Sequence, residues 1–331
     1  NANWPYDWSE FVCATPIFQP QTKAELQTAV DLWVDDNAAA LSAYGDINTW
    51  DTSLITDMVE LFRDKTTFNS DISSWDVSSV TNMAHMFDRA NQFNGDISSW
   101  DVSSVTNMSY MFRWAFVFNG DLSSWDVSNV TNMGNMFREA FDFNSDISSW
   151  DVSSVTDIQS MFAVAESFNQ DLSNWDVSSV TIFNGMFASA SIFNADISSW
   201  DVSNATSING MFGQTESFNQ DISNWDVSNV TDMSYMFANT AVFNQDLSSW
   251  DVSSAWNMTE MFANAAGLSD QNKCAMHEAW SFNPNWQNGM NSYDWSPICA
   301  PTIPGCTDVN ACNYNAEATD DDGSCLSLDC A

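Results

Sequence analysis

The sequence contains few basic residues. Its 7 Lys and Arg residues stand against 44 Asp and Glu residues, which gives a formal net charge of −37. A chain this acidic repels phosphate backbones and anionic lipid, so we predict no nucleic-acid partner. Apolar residues nevertheless make up 44% of the chain and aromatic residues 14%, which is enough to bury a core and argues against a disordered acidic polymer.

Histidine is also scarce, and this weakens every catalytic interpretation. The two histidines, His85 and His277, have no metal-type spacing, and the many serines have no evident base partner. Carboxylates recur in regular columns, whereas a glycosidase needs one acid and one base in different environments. We therefore predict that the protein is not an enzyme, with a polysaccharide hydrolase as the least favoured alternative.

Long apolar runs and cysteines within the repeats are missing as well. No stretch of about 18 apolar residues exists, so no segment is predicted to span a membrane. The chain begins at Asn1 rather than Met, which suits a secreted product without its signal, although an expressed fragment would begin in the same way. Cys13 precedes the repeats and six cysteines follow them, a crowding typical of disulfides in an oxidising compartment. We predict an extracellular or cell-surface location.

What the sequence has instead is a period of 25 residues. Trp recurs without gaps from Trp50 to Trp250, and Phe recurs at the same step from Phe62 to Phe262. Such a repeat indicates stacked coils, because one unit cannot bury its apolar residues without neighbours. We therefore predict a repeat solenoid of about nine coils, leucine-rich-repeat-like or β-helical, with successive strands about 4.8 Å apart.

Each unit contains segments that favour different local structures. The residues of "DISSWDV" and "SSVTNM" favour one or two short parallel strands, whereas "NMAHMFDRA" has apolar residues at the spacing of a short helical or 3₁₀ segment. We predict that the aromatic columns form the core, and an exposed Trp column that stacks sugars is the alternative. The residues expected to point inward in one unit are Ile72, Val77, Val80, Met83, Phe87 and Phe93.

Helical caps are expected at both ends, because the end coils would otherwise expose core and unpaired edges. Thr22 and Glu25 form a capping box before one helix, and Gly45 ends a second. Beyond the repeats, Ser269 starts another helix. The predicted domains are an N-terminal segment and cap at 1–49, the solenoid at 50–262, a cap and linker at 263–305, and a cysteine-rich module at 306–331.

Two parts of the chain resemble known groups. Over residues 50–262, the unit "MF…A..FN.DIS.WDVS.VT.M" resembles the 25-residue repeat of mycoplasma-lipoprotein-type and BspA-like leucine-rich-repeat surface proteins. That resemblance implies adhesion and matrix rather than catalysis. The tail "GCTDVNACNYNAEATDDDGSC" resembles a small cysteine module repeated in secreted proteins. The tail's resemblance implies disulfides Cys306–Cys325 and Cys312–Cys330, and proximity to the cap suggests Cys274–Cys299.

Two columns of aspartate run through the repeats, one from Asp51 to Asp251 and one from Asp71 to Asp246. Carboxylates about 5 Å apart would repel one another strongly without partners. We predict Asx-type turns, in which each carboxylate accepts backbone N–H groups. The alternative is a ladder of Ca²⁺ ions between coils, and high external salt would ease the same repulsion.

Two further kinds of site follow from the sequence. The tail offers oxygen ligands that could hold Ca²⁺, with a solvated acidic loop as the alternative: Asp308, Asn313, Asn315, Asp320 and Asp322. A chain rich in Asn, Ser and Thr yields sequons by chance, so only secretion makes them candidate glycosylation sites: Asn107, Asn129, Asn204, Asn229 and Asn257.

Two copies of one short segment flank the repeats, "YDWSEFVCATP" at Tyr6–Pro16 and "YDWSPICAP" at Tyr293–Pro301. Such a duplicate suggests a junction, along a tandem chain or between subunits, and a head-to-tail contact that does not close generates a filament. Lys273 is the one basic residue of the second half, which would give such contacts a polarity unless it arises by chance.

We therefore predict an extracellular structural or adhesive protein that assembles with itself head to tail. The alternative is a receptor-like module that binds carbohydrate, protein or matrix on one solenoid face. Ice binding through the Ser and Thr columns is a minor variant of that alternative.

Overall fold

The computed structural model of the protein describes residues 17–289, 295–299 and 303–326. Before the repeats lie helix α1 (Lys23–Asp35), helix α2 (Asn37–Tyr44) and a 3₁₀ turn (Ile47–Thr49). After them come helices α3 (Asp270–Trp280), α4 (Pro284–Gly289) and α5 (Ser296–Cys299). In the tail, strand β1 (Pro304–Gly305) pairs in parallel with strand β2 (Asp320–Asp321).

The helices next to the repeats begin where the sequence places them. The Thr22 hydroxyl accepts a hydrogen bond from the Glu25 N–H, and the Glu25 carboxylate accepts one from the Gln21 N–H at 2.7 Å. At the other end, the Ser269 hydroxyl accepts from the Asn272 N–H and starts α3. These caps satisfy N–H groups that have no partner within the helix. Helix α1 then buries Trp33 against Trp50 of the first repeat, with ring centroids 5.9 Å apart.

The repeats themselves contain almost no regular secondary structure. Within residues 50–262, all of which the structure describes, no helix forms and pairing is limited to single-residue parallel bridges such as Asn82↔Asn107. The predicted short helical or 3₁₀ segment in each unit is therefore wrong, and in place of the predicted short strands there are only single bridges. Residues 84–89 instead form consecutive turns, in which His85 and Arg89 adopt left-handed backbone angles with φ of 57° and 61°. Apolar residues at helical spacing point inward equally well from such turns.

Alternate backbone N–H groups of these turns bond to the next unit, and those between them bond three residues back, as Met86 does at Met83. Phe62 N–H donates to the Met86 carbonyl and Phe87 N–H to the Met111 carbonyl, each at 2.8 Å. On another side of the unit, Thr81 N–H donates to the Thr56 carbonyl at 2.9 Å. We infer that these contacts stack the 25-residue units as coils of a solenoid. Each unit, counted from its Trp, is called a coil below, and the first begins at Trp50.

The core consists of aromatic columns along this stack. Phe87 and Phe112 lie with parallel rings 5.5 Å apart, and Trp175 and Trp200 repeat the arrangement at 6.5 Å. The Trp rings are only 2–4% exposed, so the prediction of a buried column is confirmed and the sugar-stacking alternative is wrong. Each indole N–H also finds an acceptor, as when Trp150 donates to the Leu122 carbonyl at 3.0 Å. The six residues predicted to point inward in one unit, from Ile72 to Phe93, are all buried.

A core substitution tests how far stability depends on these columns. Phe137 contacts the rings of Phe112, Phe143 and Phe162. We expect Phe137→Ala to reduce the free energy of unfolding by about 3–5 kcal/mol, because it leaves a cavity in the column. The control Phe116→Ala removes a half-buried ring with one partner and should cost about 1 kcal/mol. Urea unfolding of both variants measures the difference, and equal costs would contradict the assignment of the core.

Candidate functional site

The aspartate columns form turns. The Asp76 carboxylate accepts the backbone N–H of Ser78 at 3.0 Å and its hydroxyl at 2.7 Å, and Asp71 accepts the Ser73 N–H at 2.9 Å. The same bonds recur along both columns, for example at Asp101 with Ser103. The predicted Asx-type turns are therefore confirmed. Each carboxylate gains donors within its own coil, which offsets part of the repulsion between coils.

These turns also change the acidity of the carboxyl groups. The Ser hydroxyl and then the Ser backbone N–H hold the pKa of Asp101, Asp126 and Asp151 below the ordinary value of 3.8. Burial opposes the shift, and so does the neighbouring Asp126 carboxylate in the case of Asp101 and Asp151, without cancelling it. The ionised form is therefore the form that the fold favours.

The tail residues predicted to bind calcium make local turn bonds. Asp308 accepts from the Asn310 N–H at 2.8 Å, Asn315 from Glu317 and Asp322 from Ser324. Asn313 joins the two halves of the loop, donating to the Ser324 carbonyl at 2.7 Å, and Asp320 lies in β2. In the part of the chain that the structure describes, no group of three or more His, Cys, Asp or Glu is placed to hold a metal. Calcium binding, in the tail or between coils, stays a prediction.

The five sequons fall into two environments. Asn129, Asn204 and Asn229 are exposed, and each donates its side-chain amide to a carbonyl of the preceding coil at 2.8 Å. Asn107 and Asn257 are partly buried, and their side-chain oxygens accept turn N–H groups. A glycan on any of the three exposed asparagines would disturb the hydrogen bond that its side-chain amide makes to the preceding coil. Glycosylation of the five sequons stays a prediction.

The structure contains two of the predicted disulfides, Cys274–Cys299 and Cys306–Cys325. Cys312 is also disulfide-bonded, while its predicted partner Cys330 lies outside the described residues. Cys13, the segment Tyr6–Pro16 and part of its copy at Tyr293–Pro301 lie outside them too. Among the helices of the described ranges, none is long and apolar enough to cross a membrane.

Variation between coils is pronounced beside the buried Met-Phe pair, which is Leu-Phe in the first coil, and at the two residues before the next Phe column, such as Phe116 and Val117. We name the two residues before the Met-Phe pair and the two after it the variable strip. In the third coil the strip is Ser109, Tyr110, Arg113 and Trp114, and in the sixth it is Asn184, Gly185, Ala188 and Ser189. The second and fourth strip residues have positive φ in most coils, and most strip side chains are partly exposed. The core does not dictate their identity.

The strip carries charge and aromatic rings only in its first four coils, apart from Tyr235 and Glu260 near the other end. At its centre lies Asp88, whose side chain is fully buried. Arg113 of the next coil binds this carboxylate through two nitrogens at 2.9 and 2.6 Å, and His85 contacts it at 2.9 Å. Burial alone would raise the pKa of Asp88, but these hydrogen bonds outweigh it and keep the pKa below its ordinary value.

Aromatic rings stack on these charged groups. The His85 and Tyr110 rings are parallel with centroids 4.5 Å apart, and the Arg113 guanidinium lies 4.8 Å from the Tyr110 ring. The Arg89 guanidinium lies 4.6 Å from the Trp114 ring. Such cation–π contacts add order to a half-exposed surface. The first coils therefore present a built polar and aromatic surface where the later coils have mostly small side chains.

Every Lys and Arg of the chain lies within 4.0 Å of a carboxylate. Arg63 pairs with Glu60 and lies 3.7 Å from Asp88, Lys65 pairs with Asp31, and Arg89 pairs with Asp64. The complete set of Lys and Arg residues is Lys23, Arg63, Lys65, Arg89, Arg113, Arg138 and Lys273. The cations of the first half thus serve contacts within the chain.

Comparison with known families agrees with this repeated architecture. A family model described as "Mycoplasma protein of unknown function, DUF285" matches residues 34–141, 99–191, 118–220 and 172–280. The chain belongs to the DUF285 family. The overlapping DUF285 matches cover the repeats together with α2 on one side and α3 on the other. They stop before the cysteine-rich tail, so the resemblance of the tail to a secreted module stays a prediction. No curated protein matches the chain.

The variable strip was not among the sites expected from the sequence. A search for catalytic and metal-binding residues passes over it, because its residues have no motif spacing. An internal comparison of the coils could have found it, since Tyr110 and Trp114 stand where the fifth coil has Ser160 and Val164.

The aspartate turns predict a specific dependence of stability on pH. Because the folded-state pKa values lie below the unfolded value, the turns stabilise the protein above that value of 3.8 and lose this contribution as pH falls through the folded pKa. Removing the hydroxyl donors in Ser103→Ala/Ser128→Ala/Ser153→Ala should bring the folded pKa values closer to the unfolded one. We expect the thermal midpoint of this variant to fall less than that of the wild type between pH 6 and about pH 2.5.

The comparison between the two proteins separates the turns from general charge effects. Protonation also relieves repulsion in a chain with a net charge of −37, and this relief is nearly the same in both proteins. Identical changes in midpoint for wild type and variant would show that the serine bonds contribute nothing to the pH dependence.

Proposed function

We propose that the protein is a non-catalytic extracellular adhesion protein whose stacked coils hold the variable strip as a binding surface. The observation that supports this most directly is the contrast between fixed and variable positions. Trp, Asp, Phe and Asn positions recur in nearly every coil because they form the columns, whereas strip residues such as Tyr110 and Trp114 have no counterpart in the adjoining coils. Side chains that the core does not require are available for recognition.

The geometry of the strip suits contact with another molecule. Its side chains are partly exposed, yet stacking and ion pairing hold them in place, as with Tyr110 on His85 and Arg113 on Asp88. A surface that is ordered before binding loses less conformational entropy when a ligand arrives. The surrounding excess of carboxylates would disfavour anionic surfaces.

An adhesion assay tests the proposal with substitutions that the fold already accepts elsewhere. Beads coated with the chain would be washed under flow on surfaces of neutral polysaccharide, anionic polysaccharide, matrix protein and bare glass. We expect Tyr110→Ser/Trp114→Val, which copies the strip residues Ser160 and Val164, to lower bead retention about tenfold on the surface that wild type prefers.

The matched control introduces the same two residues, Ser and Val, at the equivalent strip positions near the other end of the repeats. Tyr235→Ser/Asn239→Val alters the equivalent positions of the eighth coil and should retain wild-type adhesion. Equal retention of both variants and the wild type on all four surfaces would overturn the strip as the adhesive face, and so would a wild type that adheres to none of them.

Self-association through the duplicated segment is a second candidate function. In the C-terminal copy, Trp295 packs on Trp286 and on Phe262 of the last coil, with ring centroids 5.2 and 5.6 Å away. The same copy supplies Cys299, which bonds to Cys274 of α3. We infer that the copy at Tyr6–Pro16 closes the end of another repeat array in the same way, along one polypeptide or between subunits, and that Cys13 bonds to a cysteine other than the six that follow the repeats in this chain.

Peptide mapping of the protein from its natural source, without reduction, tests this second candidate. We expect Cys13 to be linked to a cysteine-containing peptide from another repeat array. Recovery of Cys13 as a free thiol, or linked to Cys274 or Cys299 of its own array, would contradict it. The Cys306–Cys325 peptide serves as an internal control for disulfide exchange during the digest.

A further inference from the structure

A polar cleft opens in the variable strip between the third and fifth coils. Its volume is about 340 Å³, and the residues that define its chemistry are Tyr110, Gly134, Asn135, Arg138, Asp157 and Gln159. Small-molecule sites have volumes of roughly 300–1,000 Å³ and are mostly apolar. This cleft lies at the small end of that range, and its lining is dominated by amide, carboxylate, guanidinium and hydroxyl groups.

The cleft exists because the fourth coil has glycine at the first strip position. Other coils have Val, Ala, Ser, Gln, Asn or Thr there. A Cβ atom on Gly134 would lie 3.1 Å from the nearest Asp157 carboxylate oxygen, so any side chain would push into the space that this carboxylate lines. Gly134 is not needed for a left-handed turn, since its neighbours Tyr110 and Asn135 are the residues with positive φ. Its lack of a side chain therefore serves the cleft.

The polar groups of the cleft retain capacity for further hydrogen bonds. Asp157 uses Oδ1 to accept from the Gln159 N–H at 3.1 Å, and within the described part of the chain Oδ2 accepts none. Arg138 makes only long contacts, 3.4 Å to Glu139 and 3.5 Å to Asn135, and its buried Nε has no hydrogen-bond partner there. A carboxylate accepts and a guanidinium donates, so the two offer complementary partners to one ligand.

Tyr110 supplies a flat wall. His85 stacks on its ring with centroids 4.5 Å apart, and the Arg113 guanidinium lies 4.8 Å from the ring centroid. Tyr110 lines the cleft together with Gly134, Asn135 and Arg138. An aromatic face beside hydrogen-bonding groups suits a ligand with an apolar face and a polar edge.

The charges argue against an anionic ligand. Arg138 is the cleft's one cation, it already lies beside Glu139, and Asp157 would repel a second carboxylate or a sulfate. No further Lys or Arg is free of a carboxylate neighbour. The geometry points to a neutral sugar ring as the ligand, with one face on Tyr110 and adjacent hydroxyls shared between Asp157 and Arg138. This inference rests on the proposed adhesive role and gives its strip a ligand class.

Binding to defined glycans tests the inference with the full chain. The probes are two- to four-ring oligosaccharides of glucose, mannose and galactose, with oligosaccharides of alginate and heparin as the anionic arm, measured by calorimetry and on a glycan array. We expect wild type to bind at least one neutral probe. Gly134→Ser, which copies Ser109, and Arg138→Ala, which copies Ala163, should each weaken that binding at least about tenfold.

The control and the contrary outcomes keep the test decisive. Tyr235→Ser should bind as wild type does, because the coil after Tyr235 has Thr259 and Ala263 in place of Gly134 and Arg138. The thermal midpoint of each variant shows whether it folds. Because there are two independent cleft variants, the test still works if one of them fails to fold. Binding of anionic probes alone, binding of no glycan, or neutral binding unchanged in both cleft variants would overturn the inference. If Tyr110→Ser/Trp114→Val still abolishes bead retention in that case, the adhesive role stands without the sugar site.

Discussion

The structure depends on hydrogen bonds that each coil makes with its neighbours. Around each Met-Phe pair the backbone turns back on itself, with left-handed residues such as His85 and Arg89, and no helix forms. Alternate N–H groups find acceptors one coil ahead, as Phe87 does at Met111, while those between them bond three residues back, as Asp88 does at His85. Buried amides without partners would cost more than the fold could offset. An isolated coil therefore has no stable structure, and the columns of identical residues follow from this dependence.

The same constraint decides where sequence freedom remains. Trp, Phe and Asn must recur because each one contacts its own equivalent: Asn94 N–H donates to the Asn69 side chain, and Phe87 stacks on Phe62. Strip residues contact their equivalents only when their chemistry allows it, as in the stack of His85 on Tyr110. A rigid repeated body and a permissive strip are thus two results of one bonding pattern.

Much of this could be predicted from the sequence. The period located every column, the capping residues Thr22 and Ser269 located the flanking helices, and the Asp-x-Ser spacing predicted the turns. The local structure of the repeats could not be predicted, because the spacing of Met83, Met86 and Phe87 fits a helix and a run of turns equally well. Hydrogen bonds to the neighbouring coils decide between the two. The cleft was missed for a related reason: its walls come from three coils, and its space depends on an absent side chain at Gly134.

Each coil contacts only the coils directly before and after it, and this has a genetic consequence. Adjacent coils present nearly interchangeable upper and lower surfaces, since Asn94 and Asn119 receive and donate the same bonds as Asn169 and Asn194. Recombination between nearly identical stretches of coding sequence could therefore add or remove a whole coil and leave every remaining joint intact. Copy number would drift freely among the uniform later coils. In the first four, where Arg113 must meet Asp88 across a joint, the order of coils would be preserved.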